Sequence, residues 1–280
     1  MPATPAVAAA LVYALAQAAP AAEPPVVPIR PSKIILVGDS TIQPNSGWGG
    51  SFCATRVVST AACLNLARGG RSTRSYRAEG SWAVALAEAK VPGYVATYVL
   101  IQFGHNDQPG KPGRSTDLAT EFPANLRRYV AEAKAAGAQP ILLTPLTRRG
   151  FTAGHITRDL DPWAEAVRRI AVETNTPLID LTARSAAVIE AMGPAMAAHY
   201  AQAVPDATVM TAALTGTTVD KGTTPTAAPP ATPGAPPQVG AVRPAFDYTH
   251  LNRDGADLFA GIVAGELAHE LPPMRPLLIP

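Results

Sequence analysis

Two kinds of apolar segment alternate along this chain. Short runs rich in Val, Ile and Leu lie at 33–37, 63–66, 97–103, 139–144 and 177–181, and several are bounded by glycine or proline. Runs of this length without strict alternation read as strands buried on both faces. Longer, alanine-rich stretches with apolar positions at helical spacing fall at about 48–58, 79–90, 117–136, 161–175, 183–200 and 252–270. Five strands alternating with helices predict a parallel sheet covered on both sides through right-handed crossovers. The expected fold is therefore α/β, a three-layer α/β/α sandwich with a five-stranded parallel sheet, flavodoxin-like. A chain of 280 residues can bury a sizeable core, and one domain over 30–275 accommodates every predicted element.

Candidate chemistry gathers where the predicted strands end. Ser40, in Gly38-Asp39-Ser40-Thr41, follows the first strand, and Asn106, in Gly104-His105-Asn106-Asp107, follows the third. The carboxyl edge of an open parallel sheet is where ligands bind. Asp247 and His250 stand three residues apart at the start of the last helical pattern. At that spacing the carboxylate can touch the imidazole and fix its tautomer. Gly70 closes the block Asn65-Leu66-Ala67-Arg68-Gly69-Gly70 after the second strand, and a glycine there lets a backbone N–H approach a developing oxyanion. Each block alone could be an ordinary turn or helix cap. A capping role, however, does not require a serine, a glycine, an asparagine and an Asp/His pair in this order. Together they form the parts of a serine esterase. His105 is read as structural, a buried hydrogen bond that shapes its loop.

In wording and order the blocks resemble those of the SGNH (GDSL-type) hydrolases. Within that superfamily, Gly38-Asp39-Ser40-Thr41, Gly47-Trp48-Gly49, Gly70-Arg71-Ser72, Gly104-His105-Asn106-Asp107 and the Asp247/His250 pair are similar to the rhamnogalacturonan acetylesterases. The likeness spans 33–270 apart from about 201–244. It implies the SGNH hydrolase fold, with Ser40 as nucleophile, His250 as general base and then acid, and Asp247 orienting His250. The implied oxyanion hole is the N–H of Ser40, the N–H of Gly70 and the side-chain amide of Asn106. It also implies an acetylated polysaccharide as substrate, rhamnogalacturonan or another pectin. A lipase or thioesterase of the same superfamily is the alternative enzyme, and a catalytically silent carbohydrate-binding relative the alternative from another class.

The rest of the sequence adds detail. Residues 201–244 break the pattern, and Thr223 to Pro237 is rich in Pro, Ala and Thr. Such a segment cannot bury a core and should be extended. Because Asp247 and His250 lie beyond it and must return to the same site, it reads as an insertion, either a plain surface loop or a lid. Residues 5–18 are apolar and end in Ala16-Gln17-Ala18, so 1–22 is expected to be a signal peptide. No Lys or Arg precedes Arg30; a membrane anchor and a disordered tail are the competing readings. A secreted or periplasmic protein is expected, off the membrane once the leader is removed and monomeric. Its two cysteines, Cys53 and Cys63, then suggest a disulfide, although both could be small buried hydrophobes. No Cys/His cluster is present, so no metal and no cofactor are expected.

With charged residues at 16% and a net charge of +2, nothing points to nucleic acid. Arg68, Arg71, Arg74 and Arg77 recur every third residue. They could grip substrate carboxylates or form a solvated face. Trp48 and Tyr76 could stack on a sugar, with a core role the alternative for Trp48.

Overall fold

The computed structural model of the chain describes residues 29–219 and 245–280. Its first strand, β1 (Lys33–Gly38), lies inside the sheet, and Ile34, Ile35, Leu36 and Val37 are all fully buried. Side chains alternate across a strand. Ile34 and Leu36 therefore enter one core with Trp48, Phe52 and Phe259, while Ile35 and Val37 enter the other with Trp82, Leu126 and Val167. Two cores on opposite faces of one sheet make the molecule a three-layer sandwich.

After β1 come α1 (Gly49–Ser51), β2 (Ala62–Asn65), α2 (Ser75–Ala78), α3 (Ser81–Ala89), β3 (Thr97–Gln102), α4 (Glu121–Ala135) and β4 (Gln139–Leu143). A small hairpin of β5 (Phe151–Thr152) and β6 (His155–Ile156) precedes α5 (Asp161–Glu173), β7 (Leu178–Ile179), α6 (Leu181–Ala198), α7 (Ala207–Leu214) and α8 (Arg253–Glu270). The main sheet runs β2-β1-β3-β4-β7 and is parallel throughout. Chain direction across the sheet reverses between β1 and β3. The crevice at their carboxyl ends is where such sheets place ligands, and the loops carrying Ser40 and Asn106 leave from those ends. Gly38 must be glycine here, because a Cβ would stand 2.5 Å from the Gln102 carbonyl oxygen on β3.

All five predicted strands and the predicted parallel order are present. The helix expected over 48–58 is instead α1 followed by a π-helical turn, Phe52–Arg56. It stops because Val57 becomes extended (φ −111°, ψ 132°) and bridges Leu278. The strand expected over 177–181 shortens because Asp180 caps α6, its side chain accepting from the Ala183 N–H. α6 itself kinks at Gly193 (φ 71°), next to Pro194, a residue that cannot continue the hydrogen-bond ladder. Cys53 and Cys63 form the expected disulfide, tying the π turn to β2. Part of the segment read as an insertion is folded. Ala201 bridges Leu251, and α7 is capped by Asp206, which accepts from the Val209 N–H. The predicted leader over 1–22 and the Pro-rich stretch from 223 to 237 lie outside the described residues. No described helix is long and apolar enough to cross a membrane.

Candidate active site

Ser40 leaves β1 in a turn braced by its neighbours. The Asp39 carboxylate accepts from both the N–H (2.9 Å) and the hydroxyl (2.7 Å) of Thr41. The Thr41 hydroxyl accepts from the Gln102 amide at 2.7 Å, and the Gln102 carbonyl oxygen accepts from the Trp48 indole N–H at 2.9 Å. All four side chains are buried, and this chain of hydrogen bonds specifies a single loop geometry; of its polar atoms, Asp39 Oδ2 has no hydrogen-bond partner among the described residues. Trp48 is thus part of the core. Tyr76 is buried as well, donating its hydroxyl to the Leu66 carbonyl at 2.8 Å. Neither presents a face to a sugar, which corrects the stacking role.

The fold returns Asp247 and His250 to this turn. His250 Nε2 lies 2.8 Å from Ser40 Oγ, and His250 Nδ1 lies 2.6 Å from Asp247 Oδ2. A carboxylate at Nδ1 places the ring proton there, leaving Nε2 free to accept the serine proton. The other Asp247 oxygen accepts from the backbone N–H groups of Thr249 (2.8 Å) and His250 (2.7 Å). Burial alone would raise the pKa of Asp247. The hydrogen bond and charge of His250, with the two N–H donors, outweigh it and hold the carboxyl at about 2. Ser46 links the two halves: its hydroxyl donates to the Ser40 carbonyl at 2.8 Å, and its own carbonyl accepts from the Leu251 N–H at 2.8 Å.

Asn106 is oriented from two sides. Its Nδ2 donates to the Arg71 carbonyl at 3.1 Å, and its Oδ1 accepts from Arg114 at 3.4 Å. That fixes which end is nitrogen and leaves one amide proton over. Gly70 adopts φ 77°, a left-handed conformation that glycine takes without penalty. The backbone N–H groups of Ser40 and Gly70 donate to no acceptor among the described residues. Beneath this loop Asp107 is fully buried, accepting from the N–H and hydroxyl of Thr73 and the hydroxyl of Thr116. Burial raises its carboxyl to about 7 against those donors.

His105 departs from expectation. It is buried, yet neither ring nitrogen has a hydrogen-bond partner among the described residues, and the Asp39 carboxylate is 3.6 Å away. Burial lowers its pKa despite that carboxylate. The arginine row is also placed differently. Arg71 pairs with Glu79, Arg74 with Glu121 and Arg77 with Glu132; none of them lines the cleft in front of Ser40. That cleft, about 640 Å³, is instead lined by Lys111, Arg114 and Arg148 alongside Ser40, Asn106 and His250. Lys111 donates to the His105 carbonyl, and its pKa is lowered by burial and by the charges of Arg148 and Arg114. These three cations were not singled out in the sequence. The pair Arg148-Arg149 just past β4 was the available signal, two charges at the edge where ligands bind.

A three-layer parallel fold with a serine, a histidine and an aspartate in hydrogen-bond series is the frame of a serine hydrolase. The GDSL-like Lipase/Acylhydrolase family matches residues 36–258, and the chain belongs to that family. It is a carboxylic ester hydrolase. Rhamnogalacturonan acetylesterase RhgT of Bacillus subtilis is 37% identical over 59% of this chain and 71% of its own length. The probable rhamnogalacturonan acetylesterase YesY of the same organism is 33% identical over 57% of this chain and 75% of its own. Among solved structures, that of the Bacillus subtilis protein YxiM superposes with a TM-score of 0.61 at 25% identity. That match covers 86% of this chain and 57% of YxiM.

Proposed function

We propose that this esterase removes O-acetyl groups from a polysaccharide that carries uronate carboxylates, rhamnogalacturonan above all. The observation that carries the reading is the Ser40–His250 contact at 2.8 Å, opening on a cleft lined by Lys111 and Arg114, neither of which is ion-paired among the described residues, and by Arg148, which pairs with Asp159 at its rim. Ser40 Oγ attacks the acetyl carbonyl while His250 Nε2 takes its proton. The oxyanion is met by the N–H groups of Ser40 and Gly70 and the spare proton of Asn106 Nδ2. Collapse breaks the bond to the sugar oxygen, which takes the proton back from His250 and leaves as the hydroxyl. Water deprotonated by His250 then releases acetate from acetyl-Ser40.

The names of the two Bacillus relatives support this substrate class, as does the lining of the cleft. Lys111, Arg114 and Arg148 suit carboxylates, and the large apolar lining among the described residues is Pro109, Phe246 and Tyr248, with no Leu, Ile, Val or Met to form an aliphatic channel for a long acyl chain. A silent binder has no need of the complete series Asp247–His250–Ser40. The disulfide fits an oxidising compartment and supports a secreted or periplasmic location.

Acetate release from acetylated rhamnogalacturonan and acetylated xylan, beside p-nitrophenyl acetate and octanoate, tests the proposal. Rhamnogalacturonan should be preferred over xylan and acetate over octanoate. The KM for the acidic polymer alone should rise with salt, because screening within about 8 Å weakens exposed charge pairs at physiological ionic strength. Preference for octanoate would make the protein a lipase or thioesterase. Equal, salt-independent use of both polymers would remove the uronate requirement.

A further inference from the structure

Residues 247–250 bear the proposed base and its carboxylate, yet they adopt no helix or strand; α8 begins only at Arg253. Something else must hold their peptide planes. All four of their carbonyls converge on one residue, Arg149. Its guanidinium donates through Nη2 to the carbonyls of His250 (2.8 Å) and Asp247 (3.3 Å), and through Nη1 to that of Thr249 (3.3 Å). Its own backbone N–H donates to the carbonyl of Tyr248 at 2.9 Å.

On the opposite side of the same peptides, the N–H groups of Thr249 and His250 point at Asp247 Oδ1. The segment is therefore polarised, with carbonyls on a buried cation and N–H groups on a carboxylate. The planar fork of arginine can serve three acceptors at once, whereas the ammonium of lysine is a single point. Arg149 is 1% exposed, and no carboxylate forms an ion pair with it among the described residues. Removing a guanidinium from water is costly, and such a group is retained where its hydrogen bonds specify a geometry. Burial lowers its pKa to about 10 against the attraction of Asp247, so it stays charged at neutral pH.

We infer that Arg149 is the positioning residue of the base: it fixes the peptides of 247–250 so that the Asp247–His250 pair faces Ser40. The inference rests on the proposed roles of Asp247 and His250, which Asp247→Asn tests alone.

The experiment compares Arg149→Lys, Arg149→Met, Asp247→Asn and the Arg149→Lys/Asp247→Asn double variant. The readouts are kcat and KM on p-nitrophenyl acetate, thermal unfolding, and the low-field proton resonance of His250 Nδ1–H. Misplacing a reacting group by about 1 Å costs on the order of a hundredfold. Arg149→Lys should therefore lose about tenfold and Arg149→Met about a hundredfold in kcat, with KM within about twofold and the low-field resonance broadened or lost. The double variant should be no more than about threefold slower than Asp247→Asn, because both changes act on one unit.

A folded Arg149→Lys enzyme with wild-type kcat and resonance would overturn the inference. So would multiplicative losses in the double variant, or failure of both Arg149 variants to fold, since Arg149 would then serve the fold at large. Should Asp247→Asn itself be fully active, the base assignment fails first and by a separate measurement.

Discussion

The nucleophile half and the base half of the site are held in different ways. Ser40 and Asn106 sit just beyond β1 and β3, adjacent strands in register from Lys33↔Thr97 to Gly38↔Gln102, and the Asp39–Thr41–Gln102–Trp48 network braces the turn from within the core. Asp247 and His250 have no strand behind them. They hang on Arg149, on the Ser46 carbonyl through Leu251, and on the Gln202 N–H, which donates to the His250 carbonyl at 3.0 Å. A sheet edge can fix a nucleophile through the fold itself; a base on a returning loop needs contacts dedicated to it. Perturbing the two halves should give different signatures.

The largest effects test whether the halves act as one unit. Ser40→Ala and His250→Ala should each lower kcat by at least about a thousandfold, with the double variant little worse than either. Independent, multiplicative losses would mean that the 2.8 Å contact is not the catalytic one. Because Asp247 is held at about 2, it stays ionised throughout the range in which an imidazole base titrates. The acid limb of log kcat/KM should thus fall with a slope of one. A slope of two above pH 4 would show that the Asp247 carboxyl also takes up a proton in that range.

Asn106→Ala stays within the strand-held half. It should reduce kcat by about a hundred to a thousandfold with KM little changed, the expected loss of one oxyanion donor. A change confined to KM would make Asn106 a substrate contact. Ser46→Ala removes the hydroxyl bond to the Ser40 carbonyl, the nucleophile end of the bridge, and should cost less. One net hydrogen bond contributes about 1 kcal/mol, so a roughly fivefold fall in kcat is expected, without a change in fold. The Ser46 carbonyl that accepts from Leu251 survives the change, so an effect as large as that of Asn106→Ala would mean that the Ser40 turn depends on the Ser46 hydroxyl more than on the buried polar chain.

What was legible in the sequence follows the same division. The strand runs, Ser40 and Asn106 at strand ends, and the three-residue spacing of Asp247 and His250 are local patterns, and the fold brings them together. The supports of the base are not local. Arg149 reaches its side-chain acceptors across 98 to 101 residues, beyond any periodicity. The arginine row misled for a related reason. Arg71 and Arg74 precede the short helix α2, so the three-residue repeat does not create a shared face; Arg71 pairs with Glu79 at the far end of that helix, and Arg74 with Glu121, 47 residues on. Burial of Trp48 likewise depended on Gln102, 54 residues away.

The smallest catalytic effect should come from the disulfide. Cys53–Cys63 ties the π turn to β2 and packs against the core that contains Trp48, but it takes no part in the hydrogen bonds that hold the Ser40 turn. Replacing both cysteines with serine reopens a short loop and should destabilise the fold by about 2–3 kcal/mol, as such closures typically contribute. Below the unfolding transition, kcat on p-nitrophenyl acetate should remain within about twofold of wild type, because β1, β3 and the buried polar chain already fix the turn. Denaturant unfolding and steady-state rates on the same samples separate the two quantities. A stable variant with a large loss of kcat would show that the turn carrying Ser40 relies on the cross-link, and that the nucleophile is held no more firmly by the sheet than the base is by its loop.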